Sequence, residues 1–152
     1  MDRYFEDFGV GERFETSSLT VTSEDIIAFA RAYDPQPFHV DPVAAKKSVF
    51  GRLVASGWQT TAYTMRLIVD AGFFGSTGGI GMGVDELRWL RPVFPGDTLR
   101  VAGEVIGARP SASKATGIVH CKMATYNQHG EAVLSQTTIV QVPRRPPPVQ
   151  AA

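Results

Sequence analysis

The sequence has 152 residues and a single cysteine, Cys121, so no disulfide can form within the chain. It lacks an excess of either charge: fifteen Lys and Arg stand against fifteen Asp and Glu, for a formal net charge of zero. Without a basic field there is nothing to draw in a phosphate backbone, and nucleic acid is not an expected partner. Apolar runs are short, and none approaches the roughly 20 residues that span a bilayer as a helix, so no membrane contact is expected. Met1 to Asp7 holds three acids, Asp2, Glu6 and Asp7, where a secretory signal needs a basic start and an apolar stretch. These absences together fit a cytoplasmic location. One cysteine and three scattered histidines match no zinc-ligand spacing, and no metal is expected. A Gly-x-Ser-x-Gly elbow for a serine nucleophile is also missing.

What is present is an ordinary globular balance, 43% hydrophobic and 20% charged, on a length that suits one domain. Phe14 to Val21 reads as a first strand, rich in Thr and Ser and closing on Leu19 and Val21. Thr22 or Ser23 can cap a helix whose first turn carries Glu24 and Asp25 and whose apolar face is Ile26, Ile27, Phe29 and Ala30. Pro35 and Pro37 stop that helix near Tyr33. A short helix is expected from Asp41 or Pro42 through Lys47, with the proline in its first turn. A longer one runs from Ser56 or Gly57 to about Ala71, apolar over most of its circumference and so expected to be buried.

After Gly72 the pattern changes. Gly75, Gly78, Gly79, Gly81 and Gly83 read as a flexible connector; a nucleotide loop would need a strand before it and a helix after it, the reverse of the order here. Strands follow at Asp85 to Val93, Thr98 to Ala108, Lys114 to Asn127 and Glu131 to Val142, the last two joined by Gln128-His129-Gly130. Leu99, Val101, Gly103 and Val105 alternate onto one face. His120 and Cys121 are neighbours in a strand, so they face opposite ways and cannot form a dyad; Cys121 reads as a small core residue. The order of helices, then an antiparallel meander, gives an α+β domain over residues 1–143, with a sheet wrapped around one long central helix. Residues 144–152 form a Pro/Arg-rich tail expected to be disordered.

Chemistry concentrates in Asp34-Pro35-Gln36-Pro37-Phe38-His39. Two prolines keep this segment out of regular helix and central strand, and fully extended it would part the Cα atoms of Asp34 and His39 by roughly 17 Å. If it curls, a carboxylate beside an imidazole can orient and deprotonate water. On the residues alone a plainer reading stands beside this one, with Asp34 ending a helix and His39 in an ordinary loop. Gly57 opens the long helix, where an unpartnered backbone N–H and the positive dipole end can polarise a carbonyl oxygen; Ser56 as a plain N-cap is the alternative. Arg88, Arg91, Arg100, Arg109 and Lys114 read as solvated strand-edge residues, and none is assigned to a ligand's phosphates.

These pieces resemble the MaoC-like dehydratases, or (R)-specific enoyl-CoA hydratases, of the hot-dog superfamily. That family carries Asp-x-Asn-Pro-x-His-x-Asp, then Phe-Gly, then His-Gly at the start of the central helix. This chain has Asp34-Pro35-Gln36-Pro37-Phe38-His39-Val40-Asp41, Phe50-Gly51 and Ser56-Gly57, and Leu87 to Leu99 is similar to the family's strand-turn-strand segment. The resemblance runs from about Phe8 to Val142. It implies a lyase of acyl-CoA and fatty-acid metabolism that interconverts 2-enoyl and 3-hydroxyacyl thioesters. Asp34 and His39 would hold the water, and the Gly57 N–H would stabilise the thioester oxygen. No cofactor is implied, since coenzyme A or acyl carrier protein belongs to the substrate. A homodimer, or a higher oligomer, is the expected assembly.

The sequence departs from the pattern at three positions. Gln36 replaces Asn, Ser56 replaces His, and Met65 stands where relatives carry a serine, with Thr64 adjacent. Gln36, Phe38, Ser56, Trp58 and Met65 are accordingly the candidate substrate-binding residues. A hot-dog acyl-CoA thioesterase, or a non-catalytic acyl-thioester-binding subunit, are the alternative functions.

Overall fold

The structure is a computed structural model and describes residues 1–148. A 3-10 turn at Phe5–Asp7 leads into β1 (Arg13–Thr20), α1 (Ser23–Tyr33), α2 (Pro37–Val40), α3 (Pro42–Lys46) and α4 (Gly57–Asp70). Four strands follow: β2 (Ile80–Trp89), β3 (Thr98–Pro110), β4 (Thr116–Tyr126) and β5 (Ala132–Pro143). The caps are those the sequence announces. Thr22 accepts from the Asp25 amide to start α1, and Asp41 accepts from the Val43 amide to start α3.

The five strands form one antiparallel sheet in the order β1-β3-β4-β5-β2. Only β3-β4-β5 is a meander. β2 pairs with β5 at the far edge, so the segment from Leu90 to Asp97 must cross the open end of the sheet to reach β3. This crossing is pinned at Leu90 (its N–H to Val133 O, 2.8 Å), at Val93 (its O to the Ala55 N–H, 2.8 Å) and at Asp97 (its O to the Val21 N–H, 2.8 Å). The glycine run is only partly a connector. Gly81 and Gly83 pair with Val140 and Ile139 inside β2, because an edge strand tolerates residues without side chains where register shifts bend it.

The core lies between the sheet and the helices. Leu99, Val101 and Val105 of β3 meet Val119, Cys121 and Met123 of β4 in a single buried layer. Burial pushes the Cys121 thiol up to about 12, as expected of a packing residue. α4 packs against β1 and β3 with Leu67 and Ile68. Its burial is one-sided, contrary to the expectation from composition: Trp58, Met65 and Val69 are 56%, 49% and 62% exposed. The face toward the sheet is instead partly polar, with Thr64 Oγ1 2.6 Å from Thr125 Oγ1. Among the described residues no helix is long and apolar enough to cross a membrane. At the start of the expected tail, Arg144 and Arg145 bond Glu6 and Asp7; residues 149–152 lie outside the described residues.

Candidate active site

Asp34 caps the end of α1, its amide donating to Ala30 O at 2.8 Å. The prolines forbid further α-helix, and the chain turns at once: the Gln36 N–H donates to Asp34 O at 2.8 Å and the His39 N–H to Gln36 O at 2.9 Å. The expectation that this segment holds no regular helix needs correction. Pro37 occupies the first position of α2, where a missing N–H costs nothing, so one helical turn forms across Pro37–Val40. That turn carries the His39 ring back onto the Asp34 carboxylate, with Nε2 3.3 Å from Oδ2.

His39 is 6% exposed, and its Nδ1 lies 2.6 Å from Val54 O. A carbonyl oxygen only accepts, so Nδ1 is assigned the proton and Nε2 of the neutral ring is left with its lone pair. Val54 belongs to a buried strap, Leu53–Ser56, that is held by Val54 N–H to Phe38 O at 3.2 Å and by the bond from Ala55 to Val93. This strap was missed in the sequence, although its apolar run between Gly51 and the long helix is the signal for it.

Both carboxylate oxygens of Asp34 have donors. Gln36 Nε2 donates to Oδ1 at 2.7 Å, and Ser56 Oγ donates to Oδ2 at 2.8 Å. Burial pushes the carboxyl up, but the bonds from Gln36 and Ser56 and the field of His39 outweigh it, and Asp34 sits below its ordinary range. Ser56 is completely buried and makes no cap bond to α4, because its hydroxyl points to Asp34 instead. It stands behind the carboxylate rather than in the pocket wall.

Gly57 begins α4, and its N–H has no acceptor among the described residues. A Cβ at this position would sit 2.6 Å from the Trp89 ring, so glycine lets the indole close over the helix start. Trp89 is fixed by its Nε1–H to Thr61 Oγ1 at 3.1 Å and by an edge contact with Trp58, centroids 5.1 Å apart. Sequence reading missed Trp89; a glycine opening a buried helix opposite an aromatic strand was the available hint. Asp34, Gln36, Phe38, His39, Gly57 and Trp58 all line one pocket of about 310 Å³. Ser56 and Met65 do not. Met65 lies about 100° around the helix from Thr64, which faces the sheet, and so points outward.

A five-stranded antiparallel sheet on a central helix defines a hot-dog domain, and one of its pockets brings together a carboxylate–imidazole pair and a helix-start N–H with no acceptor among the described residues. The model of the MaoC like domain matches residues 7–127, and the chain belongs to the MaoC-like dehydratase family. A solved structure described as the MaoC-like dehydratase from Rhodospirillum rubrum is 46% identical, with a TM-score of 0.89 over 95% of this chain and 99% of that one. The uncharacterized protein YdeM of Bacillus subtilis is 37% identical over 81% of this chain and 86% of its own length. A mesaconyl-CoA hydratase of Cereibacter sphaeroides is 36% identical over 77% of this chain, which spans only 29% of that relative.

Proposed function

We propose that the protein is a hydratase/dehydratase that interconverts a 2-enoyl thioester, most simply of coenzyme A, and the corresponding 3-hydroxyacyl thioester. The observation that carries this reading is the 3.3 Å approach of His39 Nε2 to Asp34 Oδ2 with the ring proton committed to Val54. In the neutral-ring state two acceptors face each other, an arrangement that a water molecule relieves by donating to both. Held there, water attacks the β-carbon as Nε2 or the carboxylate takes its proton. The pair returns a proton to the α-carbon and ends in its starting protonation state. The thioester oxygen, which gains negative charge in the enolate-like intermediate, takes the Gly57 N–H. Family membership and the relative named as a CoA hydratase support the same reaction.

No cofactor takes part in this scheme; the thioester carrier is substrate. The assembly we infer is a homodimer. Ile80, Met82 and Val84 on the edge strand β2 and Met65 and Val69 on α4 are exposed, and a second copy would cover such a surface. The reaction is tested by mixing a 2-enoyl-CoA with the protein and following loss of the conjugated absorbance. Release of free coenzyme A thiol instead would support a thioesterase, and tight binding without turnover a non-catalytic subunit.

A further inference from the structure

The proposed site does not close at its outer edge. Arg91 and Pro92 line it and also line a second pocket of about 480 Å³, between the Phe94–Asp97 turn and the tip of the β4–β5 hairpin. From Pro92 to Gly96 the backbone reaches at most roughly 14 Å, so an arm leaving the first pocket can enter the second. The chemistry changes along the way. The first pocket has aromatic walls from Phe38, Trp58 and Trp89; the second is lined by Arg52 and Arg91.

Arg52 is the distinctive group. Its Cζ lies 3.6 Å from the centroid of the Phe94 ring, and it has no carboxylate partner among the described residues. Contact with the ring face holds the guanidinium in place, and none of its N–H groups has an acceptor among the described residues. The two acids in this pocket are already engaged. Asp97 takes the Phe94 N–H and the Gln128 amide, each at 2.9 Å; Glu131 takes Asn127 Nδ2 at 3.1 Å and faces Arg91 Nε at 3.6 Å. A guanidinium held over an aromatic ring without a carboxylate partner among the described residues, with Arg91 lining the same pocket, suits a phosphate, whose oxygens accept two N–H bonds at once.

We propose that Arg52, assisted by Arg91, binds the phosphate of a phosphorylated pantetheine arm whose thioester end lies at Asp34 and His39. This rests on the thioester reading of the first pocket. Coenzyme A and a carrier protein share this phosphate chemistry. Arg91, expected to be a solvated strand-edge residue, lines both pockets.

The test is titration of the full chain with coenzyme A, 4′-phosphopantetheine and unphosphorylated pantetheine, for wild type, Arg52→Ala and Arg52→Glu. Wild type is expected to bind both phosphorylated compounds about tenfold tighter than pantetheine at low salt. Arg52→Ala should abolish that preference, Arg52→Glu should reverse it, and neither should alter pantetheine binding, which also reports an intact fold. Equal affinity for coenzyme A and phosphopantetheine supports the shared phosphate as the determinant, with either carrier admitted. Tighter coenzyme A binding that still falls with Arg52 supports coenzyme A as the source. No preference in the wild type, or a preference that survives both substitutions, overturns the proposal. Because binding is read without turnover, failure of hydration in the same preparation would count against the hydratase reading alone.

Discussion

Ser56 donates its hydroxyl to Asp34 Oδ2 at 2.8 Å, tying the N-cap residue of α4 to the C-cap residue of α1. The family's pattern has a histidine at this position, so here the carboxylate is anchored by a small buried hydroxyl, with Gln36 holding the other oxygen. This clamp fixes both the direction of Asp34 and its charge.

Removing the clamp should therefore move a pH profile. The bonds from Gln36 and Ser56 keep the Asp34 carboxyl below its ordinary range against the upward push of burial, so its charge survives to lower pH than usual. Ser56→Ala is expected to shift the acid limb of kcat/KM to higher pH, with a smaller change at the alkaline side. An unmoved acid limb would show that Asp34 ionisation does not depend on Ser56.

The same shift bears on stability. A carboxyl whose folded pKa is lowered contributes stability above its unfolded value, and that contribution is lost as pH falls through the folded value. The melting temperature of wild type should exceed that of Asp34→Asn near neutrality, and the gap should narrow on acidification below the ordinary carboxylate range. Thermal melts of the two proteins across acid pH check this.

Gly57→Ala places a methyl 2.6 Å from the Trp89 indole. Overpacking of this kind costs about 1–3 kcal/mol, read as a lower melting temperature. Trp89→Leu in the same chain should recover part of the loss by giving the methyl room. If the double variant is no more stable than Gly57→Ala, the indole is not what requires glycine.

Much of the architecture was legible because it follows from local rules. Thr22 with Asp25 and Asp41 with Pro42 mark helix starts by caps, and alternation in Leu99, Val101 and Val105 marks an inward strand face. What escaped depended on contacts between distant residues. Pro37 was read as a helix breaker, yet a proline at a first helical position starts a turn, and only that turn joins His39 to Asp34. Trp89 and Ser56 acquire their roles through neighbours 32 and 22 positions away. The place of β2 beside β5 could not come from local pattern at all, because register on that edge is set by pairing. Met65 was placed in the pocket by counting along a family pattern, whereas it is half exposed and outside the pocket lining, and its neighbour Thr64 is turned toward Thr125 on the sheet.

The exposed apolar residues of β2 and the outer side of α4 should be covered in solution. Light scattering is expected to give twice the mass of the 152-residue chain. Met82→Glu with Val84→Glu should shift the protein toward monomer, since like charges without a partner cannot be buried without penalty. A monomeric mass for the wild type would contradict the dimer.

The central claim is that Asp34 and His39 jointly handle the water. The most direct measurement is the rate at which a 2-enoyl-CoA loses its conjugated absorbance with wild type, Asp34→Asn and His39→Ala, each verified as folded. The account predicts hydration by the wild type and a fall in kcat of at least about a hundredfold in each variant, the usual scale for losing a positioned acid–base group. Hydration at wild-type rates in both variants would contradict it.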